Sequence, residues 1–104
     1  MFVVANRIFV APDYAEEFER RFRERAGEVE KQPGFVRLQI LRPVSEETPY
    51  VVLTTWERPE DFQAWVESED FKRAHAGKQP LPAEAFSAPG RLEQHEVIIQ
   101  AGRP

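Results

Sequence analysis

Residues 2–10 read FVVANRIFV, and the fold turns on the fact that this run is apolar at both parities. Phe2, Val4, Ile8 and Val10 share one face with Asn6, while Val3, Ala5 and Phe9 share the other with Arg7. A strand apolar on both faces is a strand buried on both faces. Residues 50–57, YVVLTTWE, repeat the pattern, with Val51, Val52 and Leu53 in succession. At 104 residues the chain is one domain, 1–104, long enough for a four-stranded sheet with two or three helices. It is too short to cover both faces of that sheet with its own helices.

Around these strands the elements fall into order. Pro12 breaks the first strand, and Asp13 with Glu16 gives a capping-box-like start to a helix. Tyr14, Phe18, Phe22, Ala26 and Val29 then recur at helical spacing, which predicts one helix to about Gln32, stopped by Pro33-Gly34. Residues 35–43 and 50–57 read as strands joined by the polar turn SEETP, hence a hairpin. Pro59 opens a short helix carrying Phe62, Trp65 and Val66. Ser68 can cap the next, which carries Phe71, Ala74 and His75 and stops at Gly77. Residues 78–90 hold three prolines and no period, a loop of the kind that often covers a pocket. A last strand is expected over 91–100. The order β-α-β-β-α-α-β predicts an α+β, ferredoxin-like four-stranded antiparallel sheet with its helices on one face. The uncovered apolar face predicts a homodimer, two copies closed face to face by two-fold symmetry.

Composition removes several classes of function. A net charge of −4 argues against nucleic-acid or anionic-membrane partners, which need basic surface. There is no cysteine, which removes disulfides, thiolate catalysis and Cys-ligated metal together. Neither a signal-peptide pattern nor a run of membrane-spanning length appears, so a cytoplasmic location is expected. Gly-rich phosphate loops, GxSxG and paired metal-binding histidines are absent from the sequence.

Three residues sit against their local patterns. Asn6 lies mid-strand between Val4 and Ile8 on an apolar face, where a buried amide needs a partner worth roughly 1–3 kcal/mol; a backbone hydrogen bond at a bulge or strand end serves as well as a ligand. Trp65 lies in register with Phe62, as a core tryptophan would, with an indole N–H to satisfy. His75 lies on the apolar side of its helix, where a structural imidazole bonded to a carbonyl is the ordinary outcome. With no second ligand at i+3 or i+4 it does not make a zinc site, but one neutral imidazole facing an apolar cavity is what a haem axial ligand requires. Arg20, Arg21, Arg23 and Arg25 form the solvated face of the first helix, or one or two beside Phe22 pair with a ligand carboxylate.

The segments VVANRI, PGFVRLQILRP, VVLTTWE and FQAWVESEDFKRAHAG together resemble the antibiotic biosynthesis monooxygenase superfamily of dimeric α+β barrels, and within it the IsdG-type haem-degrading monooxygenases. The resemblance covers residues 2–77, and the last strand loosely. It implies a triad at Asn6, Trp65 and His75. His75 would be the proximal ligand of the haem iron, and Asn6 would donate its amide N–H to the oxygen ligand across the pocket. Trp65 would press the porphyrin out of plane, and Phe22 would line the pocket, with 78–90 as its lid. Haem would be both cofactor and substrate, its ring opened and its iron released, with electrons from an external donor. The same barrel also serves cofactor-independent oxygenases of quinols and polyketide phenols, in which His75 would act as a base, and a non-enzymatic haem-binding dimer is the third alternative.

Overall fold

The computed structural model describes residues 1–25, 27–76 and 80–103. Strand β1 (Phe2–Ile8) lies in the interior of a sheet with β2 (Phe35–Leu41), β3 (Tyr50–Trp56) and β4 (Arg91–Glu96), in the order β2-β3-β1-β4. Every pairing is antiparallel. This is the ferredoxin-like arrangement, and it explains why β1 and β3 are the strands apolar on both sides: they are the two central ones.

Register assigns the faces. Val4 is opposite Thr54 and Gln94, and Asn6 is opposite Val52 and Leu92. The face of Phe2, Val4 and Asn6 is therefore that of Val52, Thr54 and Trp56, and the helices cover it. The helices are α1 (Ala15–Arg23), α2 (Pro59–Val66) and α3 (Glu69–His75). Their apolar sides meet the sheet in a core of Val4, Trp56 and Trp65, with Phe2, Val29, Phe35, Phe62, Val66, Phe71 and Ala74 packed against it. Trp56, fully buried, takes Phe35 and Phe62 edge-on with ring centroids 5.4 and 5.8 Å away. The opposite face carries Val3, Ala5, Val51 and Leu53, flanked by Arg7, whose Nε donates to Glu93 Oε1 at 2.7 Å.

Two helix starts follow the local chemistry. Pro59 stands in the first turn of α2, and the Phe71 N–H donates to Ser68 Oγ at 3.1 Å to cap α3. Others depart from expectation. The α1 segment opens with a 3-10 turn at Pro12–Tyr14 and has no side-chain cap, so Asp13 and Glu16 do not form a capping box. The helix ends at Arg23 rather than near Gln32. Gly27 has φ +76°, a left-handed conformation that glycine adopts without strain and that a continuing helix cannot use. The chain turns there, and Val29–Lys31 forms a separate 3-10 turn. β4 ends at Glu96 rather than at residue 100. The Val97 N–H still donates to the Met1 carbonyl at 2.8 Å, beyond which β4 has no β1 partner, and Ile98 and Ile99 stand 84% and 82% exposed. The expected stop of α3 at Gly77 lies outside the described residues.

Gly34 (φ +78°) turns the chain into β2. A Cβ there would collide with the Asp61 carboxylate, which is buried and held by the Arg58 guanidinium at 2.9 Å. The close approach brings the start of β2 against α2.

Candidate functional site

Between the covered face of the sheet and its helices lies a cavity of about 480 Å³, within the range of small-molecule and cofactor sites. Strands β2 and β3 supply Leu38, Val52 and Thr54 to its wall; the helices supply Phe18, Phe22, Trp65, Ala74 and His75. Apolar side chains dominate, and among the described residues the charges are confined to Arg21, Arg25 and Glu28.

The site is built element by element. Phe18 and Phe22, one turn apart on α1, are in edge contact at 5.1 Å, and Phe18 packs on Tyr50 at 4.8 Å. This contact fixes how α1 lies over the sheet. An ionic clasp holds the same helix from outside: Glu19 accepts from Arg42 Nε at 2.8 Å, from Arg23 Nη2 at 3.0 Å and from the Tyr50 hydroxyl. The Arg42 guanidinium, with the Tyr50 hydroxyl, holds the Glu19 carboxyl well below the usual range, at about 2. Phe71 stands edge-on to the buried Trp65 at 5.3 Å and stacks on the His75 ring at 4.1 Å. Gln32 Nε2 reaches Asp70 Oδ2 at 3.0 Å, which ties the turn after α1 to the helix that carries His75.

The imidazole is held for one task. His75 Nδ1 lies 2.8 Å from the Phe71 carbonyl, a group that only accepts, so Nδ1 carries the proton and donates. That fixes the tautomer with a lone pair on Nε2, and Nε2 has no partner among the described residues. An Nε2 lone pair on the wall of an apolar cavity fits haem iron by the nature of the donor. It does not fit a multi-ligand ion, since the described residues contain no group of three metal-ligating side chains.

Of the residues singled out in the sequence, His75, Trp65 and Phe22 come together in the cavity wall. Asn6 does not line it. It lies on the same face of the sheet, directly opposite Val52, which does. Its carboxamide makes no hydrogen bond to the described residues, yet no buried side-chain nitrogen or oxygen lacks a partner. The half-buried amide thus keeps some access to open space and is not tied to backbone at a bulge or strand end. Of the four α1-region arginines, Arg21 and Arg25 border the cavity, while Arg20 and Arg23 do not.

Several wall residues escaped the sequence. Gly27, Glu28 and Val29 reach the cavity because the chain turns at Gly27; that glycine was the available signal. Pro80, Leu81 and Phe86 close another side, within the 78–90 segment that the sequence reads as a pocket-covering loop. Ala11 N–H to the Ala85 carbonyl (2.7 Å) and Ser87 N–H to the Phe9 carbonyl (3.0 Å) pin residues 85–87 beside the end of β1, and Phe86 forms a bridge with Val10. Thr54 carried no signal, being an ordinary strand threonine.

A ferredoxin-like sheet enclosing an apolar cavity with a single imidazole among the described wall residues defines a small α+β pocket protein. The model of the antibiotic biosynthesis monooxygenase family matches residues 1–77, and the chain belongs to that family. It is 40% identical over 100 residues to a haem oxygenase (mycobilin-producing) of Mycobacterium tuberculosis, covering 96% of this chain and 91% of the relative. A haem oxygenase (staphylobilin-producing) of Staphylococcus haemolyticus is 36% identical over 87 residues, 82% of this chain and 83% of the relative. The solved structure of the haem degrader MhuD of Mycobacterium tuberculosis, with two haems in its active site, superposes with a TM-score of 0.82 at 39% identity. That match covers 98% of this chain and all of the other.

Proposed function

We propose that this chain binds haem in the cavity between sheet and helices, opens the porphyrin ring oxidatively and releases the iron. The observation that carries this is the fixed imidazole of a cavity-lining residue, with His75 Nδ1 committed to the Phe71 carbonyl and Nε2 left without a partner among the described residues. Kinship with haem-degrading enzymes across nearly the whole chain supports it. Bound haem supplies the redox-active iron and is itself the substrate.

The chain's own residues do the rest. His75 would hold the haem iron through Nε2. Trp65, buried and braced by Phe71, sets the shape of the wall against which the macrocycle lies, and Phe22 lines the opposite helix. Asn6 offers an unpaired amide N–H on the sheet side, a donor where charge develops on oxygen. Arg21 and Arg25, ion-paired with Glu17 and Glu30, are the cations that border the cavity among the described residues, and either would exchange its partner to meet a ligand carboxylate. An external donor supplies the electrons.

Two copies pack their open sheet faces by two-fold symmetry into a barrel, and each protomer, residues 1–104, keeps its own cavity. No described helix is long and apolar enough to cross a membrane. We place the protein in the cytoplasm, where a cysteine-free domain loses nothing by the reducing conditions.

Aerobic incubation of the haemin complex with ascorbate or a reductase, followed by mass analysis, tests the reaction. A discrete ring-opened tetrapyrrole is expected. Fading of the Soret band without such a product is unspecific bleaching and contradicts the assignment. Asn6→Ala is expected to bind haemin as before and to slow turnover about tenfold or more, within the range of a lost oxyanion-type donor; unchanged turnover removes its role.

A further inference from the structure

The cavity's sheet wall holds a polar group, the Thr54 hydroxyl, that already accepts one hydrogen bond from its neighbour. Trp56 is fully buried, and its indole N–H donates to Thr54 Oγ1 at 3.0 Å. An indole N–H can only donate, so a lone pair of the Thr54 oxygen is used and the hydroxyl proton is left to seek an acceptor. None of the described residues provides one. Thr54 also lines the cavity, and the register makes it the diagonal neighbour of Asn6, since Asn6 pairs with Val52 and Thr54 with Val4. Diagonal pairs on one sheet face lie roughly 7–8 Å apart, close enough for one small molecule to touch both side chains.

We propose that the Thr54 hydroxyl is a second hydrogen-bond donor on the sheet wall, acting with Asn6 on the small oxygen ligand, with Trp56 as its positioning residue. With the indole N–H on one of its two lone pairs, the hydroxyl keeps its proton and one lone pair, and toward a ligand that can only accept it turns the proton. The Thr54 donor on the wall and the Asn6 amide beside it on the same sheet face favour a small ligand with an accepting end. The inference rests on the haem assignment above.

The test uses ferric haem complexes and cyanide, a small ligand with an accepting end. Thr54→Val keeps the side-chain shape and removes the hydroxyl; Thr54→Ser keeps the hydroxyl. Each variant is first titrated with haemin, so that cyanide binding is compared between fully haem-loaded proteins. Cyanide Kd is then expected to rise about 3- to 10-fold in Thr54→Val, the worth of one hydrogen bond, and to stay within about twofold in Thr54→Ser. Trp56→Phe, which retains Thr54 but frees its hydroxyl, is expected to fall between, and it serves as the second arm should Thr54→Val fold poorly. A cyanide Kd in Thr54→Val equal to that of wild type overturns the proposal, as does a Thr54→Ser protein that weakens as far as Thr54→Val. If Thr54→Val cannot be obtained folded, a Trp56→Phe value equal to wild type overturns it. A wild-type chain that takes up no haemin fails at the earlier step, and that outcome overturns the haem assignment itself.

Discussion

A carbonyl one turn back decides what His75 can do, because Phe71 takes the Nδ1 proton and leaves Nε2 as a ligand. The type of residue and its apolar helix face were legible in the sequence; the tautomer was not, since it depends on α3 being regular between Phe71 and His75. Glu19 makes the same point for charge. It reads as one of several solvated acidic residues on α1, but Arg42 and Tyr50, far along the chain, converge on it. Its carboxyl is held at about 2, against an ordinary value of 4.5. A depressed carboxyl contributes stability above its unfolded pKa and loses it as pH falls toward the folded one. Melting temperature between pH 4.5 and 2 should therefore fall more steeply in the wild type than in Glu19→Gln. Parallel curves would show that the clasp does not hold α1.

Elements were legible where their signals were local. Pro59 and the Ser68 cap mark α2 and α3, and apolar runs of both parities mark the two central strands. Signals failed at ends set by tertiary contacts. The spacing of Phe18, Phe22 and Val29 continues past the real end of α1, because Val29 packs on the core from a separate turn. Gly27→Ala distinguishes the two cases. In a continuing helix the change stabilises by about 0.5–1 kcal/mol, whereas at φ +76° it costs about 1 kcal/mol or more, read by urea denaturation. Ser68→Ala is expected to cost about 1 kcal/mol through the lost cap, and a change below a few tenths would mean that the Phe71 N–H finds another partner. The end of β4 was illegible for a related reason: Val97, Ile98 and Ile99 are good strand residues that have run past their partner strand.

At the scale of the molecule, the sheet divides its work between its faces. The covered face builds the cavity, and the open one carries Val3, Ala5, Val51 and Leu53 around the Arg7–Glu93 pair. Leu53→Glu places a charge at the centre of the open face, away from the cavity. It is expected to give a monomer in sedimentation at micromolar concentration, with the wild type a dimer; a monomeric wild type would remove the barrel. The central claim is that one imidazole on the covered face makes this chain a haem protein. Absorption titration of the wild type and of His75→Ala with haemin tests it most directly. The account predicts a saturable Soret band in the wild type and its loss in His75→Ala. No band at stoichiometric haemin, or an identical titration in His75→Ala, would contradict it.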